Sequence, residues 1–344
     1  MKKICLDTAA VFLIFCTIIS SFMSNGCKRQ SKKSGEMSTL KVNFTPITGL
    51  GPLFIAQEEG YFKEQGLTVE FVKLGHAAKA MPALMNGDLD VIPAVMTAGF
   101  LNAIAKGKNM KVVADRKHTG SKLSTSGFMV RKDLWDSGTV VDVEDFRGKK
   151  IGLLSVGGHS DYFMSKVLMR ANLTLEDIHV VRGGFPLIME ALKNKSLDAG
   201  LLEEPFKTIA QKSEYTVEMI PIHEVFPDDQ IAAIMFGPNL LVKNRDLGKR
   251  FMVAYLKGVR KFNEGKTDRN VKILHEYTEI DEEILKQCGW DAIHSDGRLK
   301  IESLFAFQDW LYENGLVDIK LEEDQFIDMS FVEYANKILE SSQE

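Results

Sequence analysis

Residues 81–91, MPALMNGDLDV, return almost unchanged at residues 189–199 as MEALKNKSLDA, so the frame Met-x-Ala-Leu-x-Asn-x-x-Leu-Asp occurs twice, 108 positions apart. Solenoid and propeller repeats recur every 20–50 residues or so, whereas this separation is about the size of a small domain. The repeat therefore predicts two similar halves. In the first copy Ala80, Leu84, Met81 and Met85 share a helical face, Asn86-Gly87 stops the helix, and LDVIPAV (89–95) follows as a strand. Asn86, Asp90, Asn194 and Asp198 read as turn and cap residues rather than ligands. An interior proline costs about 3 kcal/mol, so Pro82 is expected in the first helical turn, with the helix starting near Ala78.

Outward from the repeat, strands and helices alternate. LKVNFTP (40–46) alternates and breaks at Pro46, PLFIAQEEGYFKEQG (52–66) places Phe54, Ile55 and Phe62 at helical spacing, and LTVEFVKL (67–74) alternates again. MKVVAD (110–115) reads as a further strand, and RKHTGSKLSTSG (116–127) as a polar connector without periodicity. A second series then begins. DFRGKKIGLL (145–154) is a turn and strand, SVGGHS (155–160) a loop, DYFMSKVLMRANL (161–173) a helix, and EDIHVVRGG (176–184) a strand and loop. Repeated βαβ units imply parallel sheets with helices on both faces. The fold class is α/β, with one doubly wound sheet in each half and the ligand in the crevice between two facing lobes, beyond the carboxyl ends of the strands.

Composition agrees with a globular chain: of 344 residues 45% are apolar and 26% charged, enough for a sizeable core. The formal net charge of −4 gives no basic face for nucleic acid. The first 27 residues stand apart. Lys2 and Lys3 precede an apolar run, Ala9 to Phe22, which is too short to span a bilayer and reads as a secretory leader. Gly26 before Cys27 resembles the lipobox of bacterial lipoproteins, although Ser24 and Asn25 depart from it. The expectation is cleavage and acylation at Cys27, with a plain secreted form and an uncleaved anchor as alternatives, then a tether over residues 28–39. Of four cysteines only Cys27 and Cys288 would remain, too few for an internal disulfide or a C-x-x-C zinc site.

Five blocks carry a family resemblance: GPLFIAQEEGYFKEQGLTVEFV (51–72), ALMNGDLDV (83–91), DFRGKKIG (145–152), GGHSDYFMSKVL (157–168) and ALKNKSLDAGLLEEPF (191–206). In that order they resemble the substrate-binding proteins of ABC importers in the nitrate, sulfonate, taurine and thiamine-precursor group (NMT1/THI5-like). The resemblance implies a bilobal type II periplasmic-binding-protein fold with a hinge. Lobe I would take residues 40–120 and 228–344, ending in helices, and lobe II residues 126–222, with crossings near 118–127 and 222–238.

Pocket candidates are the loop residues at strand ends: Thr45, Pro46 and Thr48; Gly75 and His76; Thr97 and Ala98; then Gly157, Gly158, His159 and Ser160, Gly183, Gly184 and Phe185, and Glu203 with Glu204. Gly157 to Ser160 open a helix whose free N–H groups suit a polar or anionic oxygen, with Ser160 as an ordinary cap the alternative. The family usually has an aromatic residue and an acid before Pro205; here both positions are Glu. Two carboxylates at a cleft repel an anion unless one is paired, which favours a ligand with an amine or ring N–H, such as a pyrimidine-type heterocycle. Neighbours on a strand face opposite ways, so one of the two can point elsewhere.

No H-x-x-x-H or H-E-x-x-H spacing occurs, and no metal or cofactor is expected. Nor does the chain show a Walker loop, nucleophile elbow or dinucleotide fingerprint. The function expected is capture of a small polar solute and delivery to a permease and its ATPase, by a monomer held to the membrane through its lipid. A tethered sensor on the same fold is the second reading. A pyrimidine-synthase-like enzyme is the third, though those relatives carry a cysteine-rich motif that is absent here.

Overall fold

The computed structural model describes residues 37–74, 77–120 and 125–341. The expected leader with Cys27, most of the tether, and the candidates Gly75 and His76 lie outside the described residues. Among the described residues ten strands form two five-stranded sheets: β1 Ser38–Asn43, β2 Leu67–Val72, β3 Val91–Ala94, β4 Lys111–His118, β5 Ser126–Arg131, β6 Lys150–Leu153, β7 His179–Arg182, β8 Ala199–Glu203, β9 Thr216–Pro221 and β10 Gln230–Phe236. The first sheet runs β2-β1-β3-β10-β4 and the second β7-β6-β8-β5-β9. The orders are equivalent strand for strand. In each sheet the fourth strand is antiparallel to both neighbours, and in each it is the strand by which the chain arrives from the other sheet. The all-parallel expectation fails there for that reason.

The helices of two turns or more are α1 Gly51–Glu58, α2 Ala77–Asn86, α3 Ala98–Ala105, α4 His159–Met169, α5 Phe185–Lys193, α6 Phe206–Lys212, α7 Arg245–Phe262, α8 Asp268–Thr278, α9 Ile301–Glu313 and α10 Ser330–Ser341. The two repeats become α2–β3 and α5–β8, and their aspartates do the same work. Asp90 takes the N–H of Lys41 on β1 at 2.7 Å, and Asp198 takes that of Lys150 on β6 at 2.9 Å. Each carboxylate thus holds the neighbouring parallel strand in register, while the repeat leucines, Leu84 and Leu192, are buried beneath. Burying such a side chain contributes about 1.5–3 kcal/mol. Helix α2 starts near the expected residue, but Pro82 lies beyond its first turn, so the carbonyl of Ala78 loses its usual helical donor.

The C-terminal helices divide. α7 packs along α1 so closely that a Cβ on Gly258 would stand 2.2 Å from the carbonyl oxygen of Pro52. α9 instead packs on the second lobe: Phe307 stacks on His159 at 4.1 Å, and Trp310 lies 5.5 Å from Tyr162, both partners being on α4. One apolar cluster therefore runs through residues of both sheets.

Candidate ligand cleft

Between the sheets, at the ends of their strands, lies a cavity lined by both lobes. β1 and the loop after it bring Asn43, Thr45 and Ile47, β3 and its loop Pro93 to Val95, and β4 brings Arg116. The second lobe contributes Ser126, Leu154, Ser155, Gly158 to Ser160, Phe163, Phe185, Leu201 and Glu203, and Ile231 comes from β10. Apart from the two antiparallel strands, which offer their first residues, these are carboxyl ends, where open α/β sheets place ligands.

Arg116 is the residue that the strand pattern hides. β4 pairs with β10 as Ala233 to Asp115, Ala232 to Lys117 and Gln230 to His118. Arg116 is thus an extra residue on β4 and Ile231 an extra one on β10, and both line the cavity. A bulge re-aims side chains that regular alternation would turn away. Arg116 is 3% exposed, and its Nε and Nη1 have no hydrogen-bond partner. Asp291 Oδ2 is close by, since it and Arg116 Nη1 would stand 2.7 and 2.3 Å from a Cβ on Gly49, but the two nitrogens still have unmet N–H donors that an anion could accept from.

Beside it Lys117, fully buried, donates to Ser126 Oγ at 3.1 Å and forms ion pairs with Glu203 Oε1 at 3.0 Å and Asp291 Oδ1 at 2.9 Å. Burial would lower the Lys117 pKa, but the carboxylates of Asp291 and Glu203 outweigh it and hold the ammonium above its ordinary value. Glu203 is therefore neutralised where it faces the cleft. Glu204 faces elsewhere, accepting from Thr208 N at 3.1 Å and Gly289 N at 2.9 Å. One of the pair points to the cavity and the other braces the C-terminal segment.

The Gly-rich loop divides between cavity and seam. Gly158 N-caps α4 without a side-chain bond, and Ser160 Oγ accepts from Leu154 N at 3.1 Å rather than capping. Gly157 has φ +62°, a conformation few side chains adopt, and its carbonyl accepts from Ala98 N at 2.9 Å. Thr97 bridges Gly158 across the lobes and caps α3 through Phe100 N. His159 Nε2 lies 3.0 Å from Gln230 O and Nδ1 3.3 Å from Met96 O; burial lowers its pKa to about 4, so the ring is neutral. A neutral imidazole has one N–H, and the shorter contact is the one it can satisfy.

Of the candidates, Thr45, Gly158, His159, Ser160, Phe185 and Glu203 line the cavity. Thr97, Ala98 and Gly157 form the seam instead. Pro46, Thr48, Gly183, Gly184 and Glu204 are not among the lining residues; Gly184 is the N-cap of α5. Arg116 escapes the sequence reading because the strand is ended at Asp115 and Arg116 to His118 read as the start of the connector, whereas β4 runs on to His118. The available signal was four consecutive polar or charged residues directly after an apolar strand, with no Gly or Pro to end it.

This architecture, two equivalent sheets joined by two crossings around a cleft, is the periplasmic-binding-protein fold. The nitrate-binding protein NrtA of Synechocystis shares it with a TM-score of 0.76 at 15% identity, over 89% of this chain and 90% of that one. A family model described as NMT1/THI5 like matches residues 47–264, and the chain belongs to that family. A putative binding protein of Brucella abortus is 24% identical over 77% of this chain and 79% of its own length. A 4-amino-5-hydroxymethyl-2-methylpyrimidine phosphate synthase of Aspergillus parasiticus is 30% identical over 48% of this chain and 46% of its own. No helix among the described residues is long and apolar enough to cross a membrane.

Proposed function

We propose that this chain is the extracytoplasmic solute-binding component of an ABC importer, and that its solute is a small organic anion. The observation that carries the reading is Arg116, whose Nε and Nη1 have no hydrogen-bond partner, in a cavity that has Phe163, Phe185, Leu201, Leu154 and Ile231 as its apolar wall and Glu203 already paired with Lys117. An acidic group on the solute would meet Arg116 and the first-turn N–H groups of α4, and a flat or apolar body would lie against the rings. The sequence-based preference for an amine or ring N–H rested on a free acidic pair, and Lys117 removes that reason. The relation to a nitrate-binding protein supports an anion; the match to the synthase stops short of half of that protein, and we propose binding rather than catalysis.

Closure on the solute would present both lobes to a permease. The leader with Cys27 would hold a monomeric chain at the membrane by acylation, since a multiply acylated terminus anchors where a single chain does not. The test is calorimetric titration of the purified chain, after denaturing and refolding, with sulfonates, carboxylates, nitrate and uncharged or cationic aminopyrimidines. Binding confined to anions, and lost in Arg116→Met, supports the reading. Binding of cationic pyrimidines with anions inert would overturn it.

A further inference from the structure

Behind the cleft a second cluster has no part in that function. His118 Nδ1 lies 2.8 Å and His294 Nδ1 3.0 Å from the same oxygen, Oδ2 of Asp115, and the two imidazoles stack nearly parallel, 3.8 Å apart at 10°. These three ligand atoms all lie within 4.8 Å of one another. We propose that Asp115, His118 and His294 form a binding site for a divalent transition metal of the zinc class.

The donor set decides the class of ion. Two imidazole nitrogens and one carboxylate oxygen suit Zn²⁺ and its neighbours, whereas Ca²⁺ and Mg²⁺ prefer oxygen throughout. Three protein ligands leave a fourth position for water. The two rings are partly exposed while Asp115 is fully buried, so an ion has a route in from one side. On arrival it would coordinate both Nδ1 atoms in place of their contacts with Asp115 and, for His294, with the Arg298 carbonyl, and each neutral ring would then carry its proton on Nε2.

The carboxylate has the outer partners that orient a metal ligand. Gln230 Nε2 donates to the other oxygen of Asp115 at 2.7 Å, and Tyr255 Oη donates to its carbonyl at 2.7 Å. His294 N donates to Asp115 Oδ2 at 2.8 Å, and His118 N donates to Ala292 O at 3.0 Å. The neighbouring lysines are already paired, Lys117 with Glu203 and Asp291 and Lys300 with Asp228. An ordinary hydrogen-bonded His-Asp pair needs one histidine; two stacked rings converging on one oxygen is the arrangement that a shared cation explains.

The location gives the site a consequence. Asp115 and His118 flank Arg116 and Lys117, and His294 follows Asp291, the partner of Lys117. A bound ion would tie the C-terminal segment to the bulged part of β4 and hold Arg116 in place toward the cavity.

The experiment uses the chain purified without a histidine tag, stripped with a chelator and dialysed. Zinc is titrated by calorimetry, bound metal is counted by mass spectrometry, and Co²⁺ is used as a spectroscopic probe. The expected result is one ion per chain, an intense four-coordinate Co²⁺ spectrum, and affinity at least about tenfold weaker in His118→Gln and in His294→Gln. Both variants should melt close to the stripped wild type, which separates lost ligation from lost folding. Equal zinc retention by wild type and variants, or a weak six-coordinate Co²⁺ spectrum unchanged by substitution, means an adventitious ion only and overturns the site.

Discussion

Lys117 Nζ sits 3.0 Å from Glu203 Oε1, joining the end of β4 in one sheet to the last residue of β8 in the other, with neither group open to bulk water. The pair crosses between the lobes at the floor of the cleft. Removing its cation would leave two buried carboxylates, Glu203 and Asp291, with Arg116 as the one cation beside them among the described residues. Lys117→Met should therefore cost about 3–5 kcal/mol, read as a lower urea midpoint with an unchanged slope. A loss under about 1 kcal/mol would show that water reaches the pair.

Arg116→Met should behave in the opposite way. The guanidinium has no hydrogen-bond partner for Nε or Nη1, so its removal breaks no bond made by those atoms and relieves their desolvation, offset in part by the loss of its attraction to the nearby Asp291 carboxylate. The ligand-free variant is expected to melt at or above the wild-type temperature. Its affinity for the anionic solute should fall by about 2–5 kcal/mol. An affinity loss accompanied by a lower melting temperature would instead mark Arg116 as structural.

His159 makes the fold sensitive to acid. Its pKa is about 4 in the folded chain, lowered by burial from 6.5, so the unfolded chain takes up the proton first. The stability linked to this group is complete above about pH 6.5 and declines as pH falls toward 4, by roughly 3 kcal/mol in total. Unfolding free energies measured across that window should fall less steeply in His159→Gln than in the wild type. Parallel curves would mean that the ring takes up its proton in place, satisfying both Gln230 and Met96.

Cys288 is fully buried, and burial, followed by the charge of Glu204, pushes its thiol up to about 12. The thiolate is the reactive form. Iodoacetamide at pH 8 should leave Cys288 unmodified in the native chain and label it once urea unfolds the protein, as mass spectrometry would show. Rapid native labelling would reveal an opening of the segment that Glu204 braces through Gly289.

The two halves were legible because a helix-to-strand step repeats only where each half needs the same joint. The repeated Asp is that joint, reaching to Lys41 in one lobe and Lys150 in the other. Strand direction was less legible: nothing in the composition of β5 or β10 says that the chain enters each sheet by running against its neighbours. The cleft was half legible. Loop residues such as Thr45 and His159 follow from strand ends, but Arg116 reaches the cavity through a bulge, and a bulge is a property of two paired strands rather than of one stretch of chain. The cluster of Asp115, His118 and His294 stayed hidden because its third member lies far along the chain from the first two, and motif spacing detects only neighbours.

The seam between the lobes is made by main chain: Ala98 N donates to Gly157 O, and Thr97 bridges Gly158. Peptide groups are the same whatever side chains surround them. The side chains that would recognise a solute and the atoms that latch the rim are therefore separate inheritances. Descendants of such a chain could exchange Arg116 or Phe185 for other residues, change their cargo, and still shut the same door.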